Sequence, residues 1–419
     1  MTDHDELAAL QARFDALAAI GRDAVTGGCE RLAWTDADAE AGAWFATQAT
    51  ALGLTVERDA NGNRWAWWLP DGLGAPGAAG PGAAVATGSH LDTVRDGGAF
   101  DGALGVVTAF GAVEALQAEG ARPQRPVAVV AWADEEGARY GTPCLGSKLA
   151  TGALDPATVV DRTDADGIRL ADAVARAGLD PQRLGPDPER LGRLGAFLEL
   201  HVEQGRGLVF DDAPVGVGSE VWPHGRWRLA AHGEPNHAGT TRMADRRDPM
   251  HVLAELIVAA REEAIARDAL ATVGRVRVHP NGPNAVPGLV TAWLDARGAD
   301  GATVQATVEA ITERARAAAA HADVTVERAD ESWSQGVAFD ADLRALLARA
   351  TATVTGTAPP ALPTAAGHDA AVLAPSVPSA MLHVRNPTGI SHSPEEHAAL
   401  ADCLVGQRAL TAALRELAT

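Results

Sequence analysis

The fold is decided by the stretch Ala84-Val-Ala-Thr-Gly-Ser-His90-Leu-Asp92-Thr-Val-Arg-Asp-Gly-Gly-Ala-Phe-Asp101-Gly-Ala-Leu-Gly105. A short apolar run leads into a His-x-Asp pair, and a glycine-rich turn then leads to a second aspartate and an apolar pattern of helical period. Imidazole and carboxylate are ligands that zinc, manganese and similar divalent ions accept. The stretch therefore predicts a strand that presents a histidine and a carboxylate to a metal ion.

Two further apolar runs end in the same kinds of side chain. Residues 126–132 are apolar and lead directly into Asp-Glu-Glu at 134–136, and the run 196–202 includes His201. Helical patterns alternate with these runs, which is typical of an α/β sheet. Ligand sites in such sheets lie beyond the carboxyl ends of the strands, so we expect these groups to meet His90 at one edge.

The pattern changes after about residue 217. The order strand, helix, strand, strand, helix, strand then follows, which is typical of a ferredoxin-like α+β unit. We therefore expect an α/β domain, a mixed sheet flanked by helices, formed by 1–216 and 333–419, with an inserted α+β domain at 217–332. In the first domain, residues 151–193 are expected to be surface decoration, and the last helix is expected to begin near Pro394.

Composition argues against several classes of protein. The chain has 419 residues and a formal net charge of -20, which disfavours nucleic acid and anionic membranes as partners. No apolar stretch has the length of a transmembrane helix, and the first residues lack the pattern of a secretory signal. Cys29, Cys144 and Cys403 show no metal-binding spacing, so we expect buried free thiols in a cytoplasmic protein.

Several motifs together resemble the M20 metallopeptidase-like amidohydrolases, and within them the carbamoylase branch: N-carbamoyl-L-amino acid hydrolases, allantoate amidohydrolases and β-ureidopropionases. The resemblance covers nearly the whole chain. Dipeptidases and aminoacylases of the superfamily usually have an acidic residue where this chain has His201, which favours a carbamoylase. The motifs are Gly88-Ser-His-Leu-Asp-Thr-Val, Gly97-Gly-Ala-Phe-Asp-Gly, Asp134-Glu-Glu-Gly-Ala-Arg-Tyr-Gly, Glu199-Leu-His-Val-Glu-Gln-Gly, Asn236-His-Ala-Gly-Thr-Thr, Gly367-His-Asp-Ala and Gly389-Ile-Ser-His-Ser-Pro-Glu-Glu.

The resemblance implies a site for two divalent metal ions, with Mn²⁺ preferred and Zn²⁺, Co²⁺ or Ni²⁺ as alternatives. His90, Asp101 and His201 would bind one ion. Asp101, Glu136 and His392 would bind the other, so that the Asp101 carboxylate bridges the pair. A structural hydrogen-bonding role is the alternative for a histidine such as His90 taken alone.

The same resemblance assigns three catalytic roles. Glu135 would be the general base, Asp92 would orient the ring of His90, and His237 would polarise the scissile carbonyl. Adjacent residues on a regular strand point to opposite sides, but the division of roles between Glu135 and Glu136 comes from the resemblance alone. A solvated acidic turn and a surface histidine are the alternatives.

Substrate-binding residues are also implied by the resemblance, namely Gln204, Asn284, Arg297 and Gly367. An arginine can hold a substrate carboxylate through two parallel hydrogen bonds, although Arg297 could instead be a solvated charge at a strand edge. The stretch Trp-Pro-His-Gly-Arg-Trp at 222–227 lies outside the resemblance. We expect it to be packing, with a role in substrate choice as the alternative.

The expected function is hydrolysis of a linear ureido or amide C–N bond in a small carboxylate substrate, of the allantoate or N-carbamoyl-L-amino acid type. The resemblance also implies a homodimer in which the inserted domain is both lid and dimer contact. A deacylase of N-formyl or N-acyl amino acids would need the same metal ions and a similar carboxylate site, so the sequence hardly separates it. A non-catalytic metal-binding sensor is a remote alternative, which the presence of Glu135 opposes.

Overall fold

The computed structural model describes residues 3–419. They divide into two compact units: the first runs as far as Glu220 and resumes at Ala338, and the second is Val221–Val337. The first unit contains a large mixed sheet flanked by helices, and the second contains a four-stranded antiparallel sheet with two helices. The large mixed α/β sheet agrees with the predicted fold class.

The helices and strands of the described residues are numbered in chain order. The strands are β1 (Thr55–Arg58), β2 (Arg64–Trp68), β3 (Ala84–His90), β4 (Val127–Trp132), β5 (Leu194–Val202), β6 (Val215–Val221), β7 (His224–His232), β8 (Asn236–His237), β9 (Leu270–His279), β10 (Ala285–Val286), β11 (Leu289–Arg297), β12 (Thr325–Ser334), β13 (Val337–Ala338), β14 (Ala361–Thr364) and β15 (Ser379–Val384). The α-helices are α1 (Asp3–Ala18), α2 (Asp36–Ala51), α3 (Ala103–Ala118), α4 (Leu145–Thr151), α5 (Leu170–Arg176), α6 (Pro188–Leu191), α7 (Gly207–Phe210), α8 (Met250–Ala266), α9 (Gly301–His321), α10 (Ala341–Thr355), α11 (Asp369–Leu373) and α12 (Leu400–Ala418).

The large sheet has the strand order β1-β2-β4-β3-β5-β15-β6-β13, with β14 paired to β6. Neighbours among β4, β3, β5 and β15 are parallel. Every residue of β4 is buried, which explains why its sequence is apolar without alternation. The carboxyl ends of β3, β4 and β5 therefore meet at one edge of the sheet.

Helix α3 lies against the centre of this sheet and packs on β3, β4 and β5, with α1 and α12 packed on it. All residues from Ala103 to Val113 are buried. A helix that is apolar on every side is stable only when it is covered all round. This burial fixes the turn that precedes α3, and that turn contains Asp101.

Residues 151–193 are more than the surface decoration that the polar composition predicted. Val159, Leu170 and Val174 are fully buried and form a small hydrophobic cluster with Leu145 and Leu149 of α4. Buried apolar residues of this segment thus belong to a hydrophobic cluster that packs against α4.

The last helix begins at Leu400, so the predicted start near Pro394 was wrong. The reason lies in Glu396, whose side chain accepts hydrogen bonds from the backbone N–H groups of Phe100 and Asp101 at 3.1 and 2.9 Å. The chain before α12 is therefore used to hold the turn before α3.

The second unit has the strand order β12-β7-β11-β9. Strand β11 alternates strictly, with Val290, Ala292, Leu294 and Ala296 buried against the helices α8 and α9. The element order β7-α8-β9-β11-α9-β12 with this strand order is the ferredoxin-like arrangement. Trp227 is buried in this core, so packing explains that residue of the Trp-Pro-His-Gly-Arg-Trp stretch.

Two expectations from composition can be compared with the structure. Cys29, Cys144 and Cys403 are buried and unpaired, as predicted. Among residues 3–419, none of the helices has both the length and the apolar character needed to cross a bilayer.

Candidate metal centre

The candidate ligands come from five separate segments. His90 is the last residue of β3, Glu136 follows β4, and His201 lies near the end of β5. Asp101 lies in the turn before α3, and His392 lies in the segment before α12. Because β3, β4 and β5 are parallel neighbours, their ends bring three of these side chains to one edge of the sheet.

Two clusters form around the carboxylate of Asp101. Its Oδ1 lies 3.4 Å from Nε2 of His90 and 3.2 Å from Nε2 of His201. Its Oδ2 lies 3.4 Å from Nε2 of His392, and that nitrogen lies 3.4 Å from Oε2 of Glu136. The candidate ligand atoms within each cluster are all within 4.8 Å of one another. One carboxylate thus directs one oxygen into each cluster.

Hydrogen bonds at the rear of the histidine rings fix their tautomers. Nδ1 of His90 lies 3.0 Å from the carbonyl oxygen of Asp92, and Nδ1 of His201 lies 2.9 Å from that of Val202. A carbonyl oxygen only accepts, so each Nδ1 carries a hydrogen and each neutral ring turns the lone pair of Nε2 inward. The backbone N–H of Gly102 donates to Nε2 of His201 at 3.2 Å, which agrees with that lone pair.

The donor set fits divalent cations. Among the residues that the structure describes, Nε2 of His90 and Oε1 of Glu136 are buried and have no hydrogen-bond partner. Buried polar atoms are otherwise nearly always paired, and lone pairs that face carboxylates repel them unless a cation lies between. Imidazole nitrogen with carboxylate oxygen is the usual donor set for zinc, manganese and related ions.

Without a cation, protons balance the negative charge. Burial alone would lower the pKa of His201, but its hydrogen bond to Asp101 and the charge of that carboxylate raise the pKa to about 9. The hydrogen bond to Asp101 also raises the pKa of His392 to about 9. Burial and then the charge of Asp101 raise the pKa of Glu136 to about 8. These protons occupy the positions that a metal ion would take.

Asp92 supports the cluster through its backbone carbonyl and its carboxylate. Its backbone carbonyl, rather than its carboxylate, accepts the hydrogen bond from His90. The carboxylate instead accepts the backbone N–H groups of Glu135 and Glu136, at 3.2 and 3.1 Å. It reaches these groups because β4 lies beside β3 and ends at the same edge. Asp92 therefore holds the segment that carries both glutamates.

The two adjacent glutamates diverge. Oε2 of Glu136 points to His392, whereas Oε2 of Glu135 lies 3.7 Å from Nε2 of His90. Glu135 is buried, and burial raises its pKa. A buried carboxylate beside the clusters, with a raised proton affinity, has the properties of a general base.

Gln204 and Gly367, both predicted to bind substrate, lie near the clusters. The amide of Gln204 donates to Oδ2 of Asp101 at 2.8 Å. Gly367 precedes His368, whose ring packs on that of His201 with 4.6 Å between the ring centroids. A Cβ built on Gly367 would meet no atom within 4 Å, so the space beside it is open.

Two supporting residues were not assigned from the sequence, although both lie in quoted motifs. Glu199 is buried and accepts from the hydroxyl of Ser89 at 2.7 Å and the N–H of Ala370 at 2.9 Å. Glu199 also groups with His201 and His368 as a third set of possible ligands. Glu396 holds the turn that contains Asp101. In the sequence, these two roles could have been suspected only from the presence of an acidic residue in each motif.

The remaining predicted residues lie in the second unit. His237 in β8 pairs with Ala285 in β10, and the carbonyl of Asn284 accepts the N–H of Ala238 at 2.9 Å. Nδ1 of His237 accepts the N–H of Gly239 at 3.0 Å, so a neutral ring carries its hydrogen on Nε2. The second unit thus brings His237 and Asn284 together and leaves a donor on the histidine.

Arg297 ends β11 and is held by a neighbouring carboxylate. Its Nε and Nη2 donate to Asp295 at 2.7 and 3.2 Å. Asp295 also accepts from Nε of Arg226 at 3.2 Å, because Arg226 lies opposite Asp295 in the pairing of β7 with β11. The stretch 222–227 therefore supplies a cation beside Arg297 as well as packing.

Known proteins match the chain over nearly its whole length. The family model described as peptidase family M20/M25/M40 matches residues 86–416. The N-carbamoyl-L-amino acid amidohydrolase of Geobacillus stearothermophilus is 36% identical over 397 residues, which is 94% of each chain. The allantoate amidohydrolase of Escherichia coli (strain K12) is 31% identical over 410 residues, 96% of each chain. The crystal structure of an amidase of the hydantoinase/carbamoylase family from Burkholderia vietnamiensis has a TM-score of 0.86 at 30% identity, and the match covers 98% of this chain and 97% of that one.

Proposed function

The chain belongs to the peptidase family M20/M25/M40, and we propose that it is an amidohydrolase acting on a linear ureido C–N bond. Its substrate is a small carboxylate, an allantoate or an N-carbamoyl-L-amino acid, and the reaction releases ammonia and carbon dioxide. The observation that carries the proposal is the carboxylate of Asp101, which directs one oxygen into each of two ligand clusters beside Glu135.

Two divalent ions are proposed as cofactors. His90, Asp101 and His201 would hold one ion, and Asp101, Glu136 and His392 the other. The set contains only nitrogen and oxygen donors, which suits Mn²⁺ and also admits Zn²⁺, Co²⁺ or Ni²⁺. When bound, such ions lower the pKa of a coordinated water and polarise a carbonyl group.

Glu135 is proposed to carry the proton through the reaction. Its carboxylate takes a proton from water as the oxygen forms a bond to the ureido carbon. It returns that proton to the nitrogen as the C–N bond breaks, so that ammonia leaves. The remaining carbamate loses carbon dioxide and gives the free amine. The buried position of Glu135 and its raised pKa suit both transfers.

The second unit is proposed to bind the substrate and to act as its lid. Nε2–H of His237 would donate to the carbonyl oxygen, and Asn284 and Arg297 would hold the substrate's polar groups and its carboxylate. Gln204 and Gly367 would line the site in the first unit. Closure of such a lid over a bound substrate would exclude water from the reaction.

A homodimer through the second unit is proposed as the assembly. Strand β9 is an edge strand whose residues are mostly exposed. Helix α8 exposes Ile257, Val258 and Ile265, which are 48%, 45% and 68% exposed. Unpaired strand edges and exposed apolar side chains of this kind are typical of interfaces between chains. The buried free cysteines suit a reducing compartment, so we propose a cytoplasmic location.

The test is ammonia release by metal-stripped protein reloaded with Mn²⁺. Allantoate, a panel of N-carbamoyl-L-amino acids and β-ureidopropionate are offered in turn, with the metal-free protein as the control. Metal-dependent ammonia from one of them supports the proposal and identifies the substrate. If none reacts although two ions are bound, and N-formyl or N-acyl amino acids do, the protein is a deacylase instead.

A further inference from the structure

The segment after β4 is folded back on itself beside the candidate centre. Its closure places Cys144 directly against Glu135. Cys144 has φ +54° and ψ +42°, a left-handed conformation that residues other than glycine seldom adopt. Its surroundings therefore hold it there. Three backbone hydrogen bonds close the segment. The N–H groups of Cys144, Leu145 and Gly146 donate to the carbonyl oxygens of Glu135, Asp134 and Ala133 at 2.6, 3.0 and 2.8 Å, respectively.

The thiol of Cys144 contacts one oxygen of the Glu135 carboxylate. Sγ lies 3.1 Å from Oε1, and Cys144 is only 3% exposed. Burial, with the charge of Glu135, raises the pKa of this thiol well above its usual value, so the sulfur keeps its hydrogen and is the donor. The other oxygen, Oε2, lies 3.7 Å from Nε2 of His90. One oxygen of the Glu135 carboxylate thus faces the thiol of Cys144, and the other faces the candidate ligand His90.

Within residues 3–419, the thiol is the one side-chain group that donates a hydrogen bond to this carboxylate. The terminal torsion of a glutamate side chain has broad preferences, so a carboxylate without such a partner would sample many orientations. An S–H group is a weak donor. It can therefore fix the orientation of Glu135 without satisfying the carboxylate as strongly as an arginine or a lysine would.

We propose that Cys144 is a positioning residue for the reaction: its thiol holds Oε1 of Glu135 so that Oε2 faces the attacking water. The inference rests on the proposed function, in which Glu135 carries the proton. Cys144 touches no reacting atom and acts only through Glu135. The chain's other two cysteines have no bond to a residue of the centre; Cys29 contacts the carbonyl of Ala18 instead.

Two substitutions test the proposal kinetically. C144A removes the donor, and we expect kcat to fall roughly 10- to 100-fold with KM and metal content nearly unchanged, because only the orientation of the base is lost. C144S keeps a donor and should restore most of kcat. The matched control is C403A, which removes another fully buried thiol, in α12, and should leave kcat unchanged. Wild-type kcat in C144A would overturn the proposal.

Infrared spectroscopy tests the contact without any turnover. The S–H stretching band of Cys144 is the band missing from both C144S and C144A, so either variant assigns it, and hydrogen bonding lowers its frequency. We expect the band to rise in frequency in E135A, which has no carboxylate to accept. A band at the same frequency in E135A and wild type would overturn the proposal, even if C144A does not fold. Failure of the proposed function would appear differently, as wild-type protein that hydrolyses none of the ureido or acyl substrates.

Discussion

At the scale of single residues, the candidate centre depends on Asp101, whose two carboxylate oxygens contact three histidines. Oδ1 of Asp101 lies near His90 and His201, and Oδ2 lies near His392. The backbone N–H of Asp101 donates a hydrogen bond to the side chain of Glu396. The geometry of both clusters is therefore set by one side chain. A change at this position should affect both clusters together.

D101N tests this dependence. An amide has one acceptor oxygen and a donor NH₂, so one cluster would face a donor in place of a ligand. We expect metal affinity to fall at both sites by more than the roughly 10- to 100-fold that loss of an outer-shell partner causes. Metal content after dialysis is the measurement. D96N is the control, since Asp96 is an exposed residue of the same turn; retention of both ions at wild-type affinity in D101N would contradict the bridging role.

E135Q separates the base from the ligands. The amide keeps the size of the side chain but cannot take a proton, so kcat should fall roughly 10²- to 10⁴-fold. Metal content should not change, because Glu136 and not Glu135 directs an oxygen to His392. Steady-state kinetics and metal analysis give both values. E395Q, an exposed glutamate, is the control, and near wild-type turnover in E135Q would show that another group carries the proton.

At the scale of elements, the centre depends on the pairing of β3 with β4. Gly88 lies opposite Val130 in this pairing and has φ +147°. A Cβ at Gly88 would lie 1.9 Å from the carbonyl oxygen of Val130, so the two strands can approach only because this residue is glycine. The strand that ends in His90 could not otherwise lie beside β4.

G88A should therefore destabilise the whole first unit. The clash with backbone cannot be relieved by a rotamer change, and we expect a loss on the order of 4 kcal/mol or more in the free energy of unfolding. Thermal unfolding of purified protein, or its yield if it does not accumulate, is the measurement. G74A is the control, because a Cβ there meets no atom within 4 Å. Equal melting temperatures for the two variants would contradict the argument.

Sequence patterns predicted those elements whose cause is local. The strand before His90 and the apolar β4 follow from the hydrophobic pattern of the sequence, and both are present. The start of α12 was missed because a contact distant in sequence, from Glu396 to the turn at Asp101, keeps the preceding residues out of the helix. The hydrogen bonds of the Asp92 carboxylate were not predicted for the same kind of reason, since their donors, Glu135 and Glu136, follow β4.

At the scale of the whole molecule, protons and metal ions compete for one set of atoms. In the metal-free protein, the pKa values of His201 and His392 are both about 9, above the value of about 6.5 expected in an unfolded chain. Because the folded protein binds these two protons more tightly than the unfolded chain does, protonation stabilises the fold. This stabilisation is complete below about pH 6.5 and is lost as the pH rises through about 9. Metal ions bind only the deprotonated rings. The stabilisation of the fold by bound metal therefore increases as the pH rises.

We therefore expect the melting temperature difference between Mn²⁺-loaded and metal-free protein to widen as pH rises from about 6.5 to about 9. Differential scanning calorimetry at a fixed concentration of free Mn²⁺ measures it. A difference that stays constant with pH would mean that metal binding displaces no protons.

The proposed dimer is also a property of the whole molecule. I265E introduces a charge at a residue of α8 that is 68% exposed, so it should weaken dimerisation while the melting temperature of the monomer changes little. Sedimentation equilibrium measures the dissociation constant. V25E is the matched control, at a 93% exposed residue of the first unit. A monomeric wild type at micromolar concentration would exclude this assembly.

The ligands of the candidate centre lie between residues 90 and 392, with the whole second unit encoded between them. A ribosome that makes the chain from its N-terminus completes His90, Asp101, Glu136 and His201 first, but His392 follows only after residues 221–337. The pair of clusters cannot exist on the nascent chain until the second unit has been synthesised. A pair of ions held by both clusters would therefore be complete only late in biosynthesis, and the ion supply of the compartment where folding finishes would help to decide which metals form the pair.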